Sequence, residues 1–182
     1  MVKDIKIENV VASATLNCKL PLDKIVARIP GTEYEPEQFP GLVYRIKEPK
    51  AASLLFSSGK IVCTGARSPE LARKAVGIII NNMKKAKIKI TGKPVIRIEN
   101  IVASAKLDSQ LKLNEIAFTL PNTEYEPEQF PGLVYRIKKP KVAFLLFGSG
   151  KIVCTGGRSV EDVKKAIKNL ENQLKEINAI KS

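Results

Sequence analysis

The chain contains no histidine, the side chain most often used to move protons near neutral pH, so any acid–base chemistry would fall to carboxylates and lysines. Its three cysteines, Cys18, Cys63 and Cys154, have no metal-ligand spacing, and there is no Walker or dinucleotide-binding glycine pattern. Cys63 and Cys154 sit inside apolar KIVC segments, and all three cysteines read as buried reduced thiols. The commonest catalytic constellations are therefore missing, and neither a metal nor a cofactor is implied. What remains is recognition. Thirty-one lysines and arginines against eighteen acids give a net charge of +13, which favours a polyanionic partner. The excess is shared: 16 basic minus 8 acidic residues up to residue 91 give +8, and 15 minus 10 beyond it give +5.

The side chains available for recognition occur twice. TEYEPEQFPGLVYRIK stands at 32–47 and again at 123–138, and the same shift of 91 positions carries IENVVASA (7–14) onto IENIVASA and SGKIVCTGAR (58–67) onto SGKIVCTGGR. A fixed period of half the chain implies two copies of one unit related by a pseudo-twofold axis, with repeats at 1–91 and 92–182.

Each copy specifies the same elements. IKIENVVASATL alternates β-branched residues and reads as a strand; LDKIVARI is a short helix stopped by Pro30; GTEYEPEQFPG, with two prolines and two glycines, is a turn-rich excursion. LVYRIK, ASLLFS and KIVCTG form an antiparallel meander with a tight hairpin at Gly59. Ser68-Pro69-Glu70 starts a helix with a serine cap, a proline at the first position and an acid in the first turn, and Ser159 with Glu161 and Asp162 repeats that signal. The packing stripe is Leu71, Ala75, Ile79 and Met83 in the first long helix, and Val163, Ala166, Ile167, Leu170, Leu174 and Ile177 in the second. The run KKAKIKI (84–90) reads as a solvated helix end leading into a strand.

The result is an α+β fold in which helices cover one face of each sheet. Strand phase leaves the other face bare. If Ile61 and Cys63 point to the helices, Leu54, Phe56, Val62 and Thr64 point away beside lysine, and Asn9 and Val11 share one side of the first strand. No second set of helices exists to cover these residues, so an apolar face with a basic margin is expected to bind something.

In this combination the sequence resembles the TATA-box-binding protein family over essentially its whole length. The coupled signals are ENVVASATL and its copy, EYEPEQFPGLVYRIK twice, and LLFSSGKIVCTG with LLFGSGKIVCTG at constant spacing. The resemblance implies one curved antiparallel sheet, a saddle with helices on its convex face and DNA on its concave face. This family is itself the type example of minor-groove binding with kinking by inserted side chains.

Carried over position by position, the resemblance makes Phe39 with Phe56, and Phe130 with Phe147, the wedges, flanked by Pro40 and Pro131 and by Ser58 and Ser149. It places Asn9 and Asn100 where their amides donate to the adenine N3 and thymine O2 acceptors, aided by the hydroxyls of Thr64 and Thr155. Val11, Leu54 and Val62, with Val102, Leu145 and Val153, would press on the groove floor and leave no acceptor for a guanine amine. Arg45, Lys60 and Arg67, with Arg136, Lys151 and Arg158, would face phosphates, with Lys50 and Lys141 as weaker candidates. The acidic loops should point away from DNA, and in the family the second one docks transcription factor B, which nominates Glu126, Glu128 and Gln129.

The symmetric repeats, the prolines after both loop phenylalanines and the lack of a long N-terminal extension look archaeal, whereas the acidic C-terminal tail of many archaeal relatives is missing. The expected location is then the cytoplasm of an archaeal cell, at the nucleoid, or the nucleus in a eukaryote. Expected partners are A·T-rich promoter DNA, transcription factor B and RNA polymerase, with a homodimer possible when DNA is absent. Two other classes remain open: a DNA-repair module, since a related sheet occurs in repair glycosylases, and a duplicated small-ligand domain, which would need a closed pocket.

Overall fold

The computed structural model describes residues 1–181. In the first repeat, β1 (Val2–Thr15) leads to α1 (Leu22–Arg28), a two-residue strand β2 (Thr32–Glu33), β3 (Leu42–Lys47), β4 (Lys50–Leu55), β5 (Lys60–Ala66) and the long helix α2 (Pro69–Lys85). The second repeat follows the same order with β6 (Val95–Leu107), α3 (Leu113–Thr119), β7 (Thr123–Glu124), β8 (Leu133–Lys138), β9 (Lys141–Leu146), β10 (Lys151–Gly157) and α4 (Val160–Glu176). No helix among the described residues is long and apolar enough to cross a membrane.

The chain forms two compact units. The first-repeat unit spans Asn9–Glu99 and orders its strands β2-β3-β4-β5-β1, with the first residues of β6 beyond β1. The second-repeat unit takes Met1–Glu8 together with everything from Asn100 onward, in the order β1-β6-β10-β9-β8-β7. β1 and β6 thus each serve both units, so the compact units are cut about eight residues away from the sequence repeat. The meanders are antiparallel and in register, with Leu42 opposite Leu55 and Leu55 opposite Ile61 in one, and Leu133 opposite Leu146 and Leu146 opposite Ile152 in the other.

One face of each sheet is sealed by its long helix, α2 against β4 and β5 and α4 against β10. Both helices start as the sequence requires: Ser68 Oγ accepts from Leu71 N at 3.1 Å and Ser159 Oγ from Asp162 N at 3.0 Å, each satisfying an otherwise orphaned donor. In the first unit Leu42, Leu55, Ile61, Cys63, Val76, Ile79 and Met83 form one cluster with Leu22 and Ile25 of α1. Each of its large aliphatic side chains contributes roughly 1.5–3 kcal/mol through burial.

Two expectations need correction. Leu71 is 40% exposed, and Ala72 and Val76 take the buried places expected of it. Stepping by four residues rotates a stripe by about 40° each time, so Leu71 is carried off the face that Met83 occupies. The KKAKIKI run does not enter a strand: α2 ends at Lys85, Lys87 adopts a left-handed φ of 66°, Ile88 N donates back to Met83 O, and the next strand begins only at Val95.

Candidate nucleic-acid interface

On the face away from α2, alternate residues of three strands surface together. Leu54 lies opposite Val62 on one side and Val43 on the other, all half-buried, while their sequence neighbours Leu55, Ile61 and Leu42 are fully buried. Val11 and Asn9 of β1 and Thr64 of β5 join this face, and the second unit repeats it with Val102, Asn100, Leu145, Val153, Val134 and Thr155. Val43 and Val134 escaped the sequence reading, although the phase of LVYRIK places them beside the two leucines.

Asn9 owes its position to an irregularity. Between Val10 and Ala12 the register of β1 against β5 shifts, so that Thr64 and Gly65 bulge opposite Val11, and Gly65 takes a φ of 104°. Its freed N–H donates to Asn9 Oδ1 at 2.7 Å. Oδ1 also accepts from the Thr64 hydroxyl at 3.3 Å, while Nδ2 donates to Thr64 Oγ1 at 3.0 Å. The second Nδ2 proton is spare. Asn100 repeats the arrangement at 2.6 Å from Gly156 N and 3.1 Å from Thr155 Oγ1, next to its own register shift. Each unit therefore presents an oriented amide donor, braced by a threonine, on an apolar face.

The phenylalanines stand where β3 begins and β4 ends, and again where β8 begins and β9 ends. Phe39 ends a single helical turn closed by its own N–H onto Glu35 O, and Phe130 does the same onto Glu126 O. The Phe39 and Phe56 rings meet edge to face with centroids 6.0 Å apart, as do Phe130 and Phe147. Phe39 and Phe130 remain 42% and 43% exposed, well outside the core. Gly41 and Gly132 make this possible: a Cβ at either would stand 2.6 or 2.7 Å from the loop ring. The Phe-Pro-Gly spelling contained that signal, but it is a contact with no sequence periodicity.

Pro40 and Pro131 are exposed beside the rings, and Ser58 and Ser149 are exposed in the hairpins that follow Phe56 and Phe147. Lys50, Lys60, Arg67, Lys141, Lys151 and Arg158 are exposed and form no ion pair among the described residues. Arg45 and Arg136 differ, since Arg45 contacts Glu33 at 3.4 Å and Arg136 contacts Glu124 at 2.8 Å. Both acids come from the short strands β2 and β7, which were not foreseen as strands. Glu126, Glu128 and Gln129 project from the second loop and are exposed.

Nothing on these faces is arranged for bond-making chemistry. Burial pushes the Cys154 thiol up to about 12 and raises Cys63 as well, so both are protonated and inert as nucleophiles. Cys18 is only half-buried. A duplicated sheet face with fixed donors, apolar floor residues, ring pairs and marginal cations has the makeup of a DNA-binding surface.

The comparisons give that class a family. The family model described as transcription factor TFIID (or TATA-binding protein, TBP) matches residues 4–86 and again 95–177. The TATA-box-binding protein of Archaeoglobus fulgidus is 54% identical over 173 residues, covering 94% of each chain, and that of Picrophilus torridus is 51% identical over 178 residues, covering 97% of each. The solved structure of Methanococcus jannaschii TBP superposes with a TM-score of 0.88 at 49% identity, covering 96% of this chain and 99% of that one. The chain belongs to the TATA-box-binding protein family, whose members are general transcription initiation factors and not enzymes.

Proposed function

We propose that the two faces bind the minor groove of a TATA promoter element, that the two phenylalanine pairs kink it, and that the complex nucleates assembly with transcription factor B and RNA polymerase. The carrying observation is the half-exposed Phe39–Phe56 pair beside an apolar face with fixed donors, and its copy at Phe130–Phe147. Burying roughly 150–200 Å² of ring at about 25 cal/mol/Å² yields about 4–5 kcal/mol as an upper estimate, against a few kcal/mol to unstack a base step. These opposing terms are of similar size, so the fit of the sheet along the rest of the bent groove decides the outcome. A guanine amine would meet Leu54, Val62 and Val11 without an acceptor, which selects A·T pairs.

Replacing every A·T pair of the element by I·C tests this reading, because inosine keeps the A·T-like minor groove and presents a G·C-like major groove. Binding should persist; its loss on I·C with retention on A·T would overturn the minor-groove assignment. The salt dependence adds detail. Eight phosphate-facing cations would give a log–log slope near roughly minus 7, and about minus 5 if Arg45 and Arg136 stay on their glutamates.

Transcription factor B docks on the second acidic loop in this proposal. Charge reversal at Glu126 and Glu128 should abolish its recruitment while DNA binding survives. Because loop phenylalanines and loop acids are identical in both halves, DNA alone imposes little polarity, and direction comes from transcription factor B. Without DNA, the same apolar faces would serve a homodimer.

A further inference from the structure

We propose that the first-repeat unit carries a second recognition site on its helical side, a cationic groove that takes an acidic protein segment with interleaved apolar side chains. The groove, about 510 Å³, lies between α1 and the chain leaving α2, and Lys19, Lys24, Arg28, Lys87 and Lys89 line it together with Leu20 and Pro21. No carboxylate is among its lining residues. None of these cations belongs to the set assigned to DNA.

Three observations separate this cluster from ordinary surface charge. First, it is confined to one repeat: at the equivalent positions the second repeat has Gln110, Glu115, Thr119, Asn178 and Ile180, and its one additional cation is Lys112 in place of Pro21. Second, Lys87 is held at a φ of 66°, a left-handed conformation that crowds its Cβ, whereas the second repeat places there an asparagine, which tolerates it, at 59°. Third, helix-end electrostatics accounts for only part of the cluster. Arg28 Nη1 donates to Ala86 O at 3.2 Å and Lys87 O at 3.3 Å, capping α2, but Lys19, Lys24 and Lys89 make no such contact among the described residues.

The shape selects among polyanions. A duplex presents phosphates along a convex ridge and gains little from a concave wall containing leucine and proline. An extended acidic segment can set its carboxylates against the lysines and its apolar side chains against Leu20 and Pro21.

The test uses the full chain and a fluorescein-labelled peptide in which aspartate and glutamate alternate with leucine. The double variant Lys24→Glu, Lys89→Glu should weaken peptide binding at least about tenfold relative to Lys164→Glu, Lys165→Glu on α4, which changes net charge equally. Thermal melting and binding to a TATA duplex, equal in the two double variants, would exclude misfolding. Equal peptide affinity of both double variants, or no binding by the unaltered chain, would overturn the proposal. So would undiminished binding of a peptide with serine for leucine, or a random-sequence duplex competing better than the peptide, since either leaves a plain anion site. The milder Lys24→Gln, Lys89→Gln variant supplies the same readout should charge reversal perturb the fold.

Discussion

The two repeats agree on the face that meets solvent and disagree on the layer behind it. Asn9 and Asn100 are held by the same three-atom arrangement to within 0.1 Å, and the two phenylalanine pairs share a 6.0 Å separation with interplanar angles of 66° and 68°. Behind that face the solutions diverge. The first repeat buries Ser53 where the second buries Phe144, which stacks on Tyr135 at 6.3 Å; in the first, Tyr44 instead accepts from Asn82 Nδ2 at 2.9 Å. Ile80 of α2 is answered by Glu171 of α4, whose carboxylate accepts from Val2 N at 2.7 Å and from Lys168 Nζ at 3.2 Å. A core requires only that volume be filled and polar groups be paired, and many side-chain sets achieve it. A face that fits one repeating ligand has far fewer solutions.

The largest test of this contrast is Phe144→Ser, which gives the second unit the first unit's residue. It should cost about 4 kcal/mol in denaturant unfolding, because the ring leaves a cavity beside Tyr135. A cost below about 1 kcal/mol would mean that the two cores are interchangeable after all. Next come the phenylalanine pairs proposed to kink DNA. Phe39→Ala with Phe56→Ala, and separately Phe130→Ala with Phe147→Ala, should each weaken binding to a palindromic TATA duplex about hundredfold, or about 2.7 kcal/mol. The two losses should agree within about threefold, and a larger gap would show that the matching faces are used unequally.

Glu171→Gln should destabilise the protein by about 1–2 kcal/mol near neutral pH. Burial pushes the Glu171 carboxyl up, but the Val2 N–H, Lys168 and Lys175 outweigh it and hold it below its usual 4.5. A carboxyl depressed in the folded state contributes fully above its unfolded value, and the contribution fades as pH falls through the folded one. The destabilisation caused by Glu171→Gln should therefore shrink on acidification below about pH 4.5, whereas Ile80→Ala should cost the same throughout that range. The smallest effect is a gain. Ser53 Oγ is buried without a hydrogen-bond partner, so Ser53→Ala should raise stability by about 1 kcal/mol, visible as a higher unfolding midpoint.

Much of this architecture was legible because it rests on local rules. Strand alternation placed Leu54, Val62 and Thr64 on the open face and Ile61 and Cys63 in the core, and serine caps fixed the starts of α2 and α4. The DNA contacts proposed for these residues rest on family resemblance, since an asparagine in a strand announces no ligand by itself. What escaped depends on contacts between segments. The Gly65 bulge that orients Asn9 arises from pairing with β1, and the Arg45–Glu33 contact requires β2 to lie beside β3. Neither has a period to detect. Gly41 belongs to the same group, because its missing side chain matters only once two rings have closed over it.

The sharing of β1 between units has a consequence for the order in which the chain can mature. During synthesis Asn9–Glu99 emerges as a complete unit before most of the second repeat exists, and can close early. Residues 1–8 are made first yet belong with the part made last, and Val2 finds Glu171 across 169 positions. β6 can pair with the leading end of β1 midway through synthesis, but Val2 must wait for its Glu171 partner until α4 leaves the ribosome. A chain stalled before that helix would carry one finished unit and a leading strand without its terminal anchor.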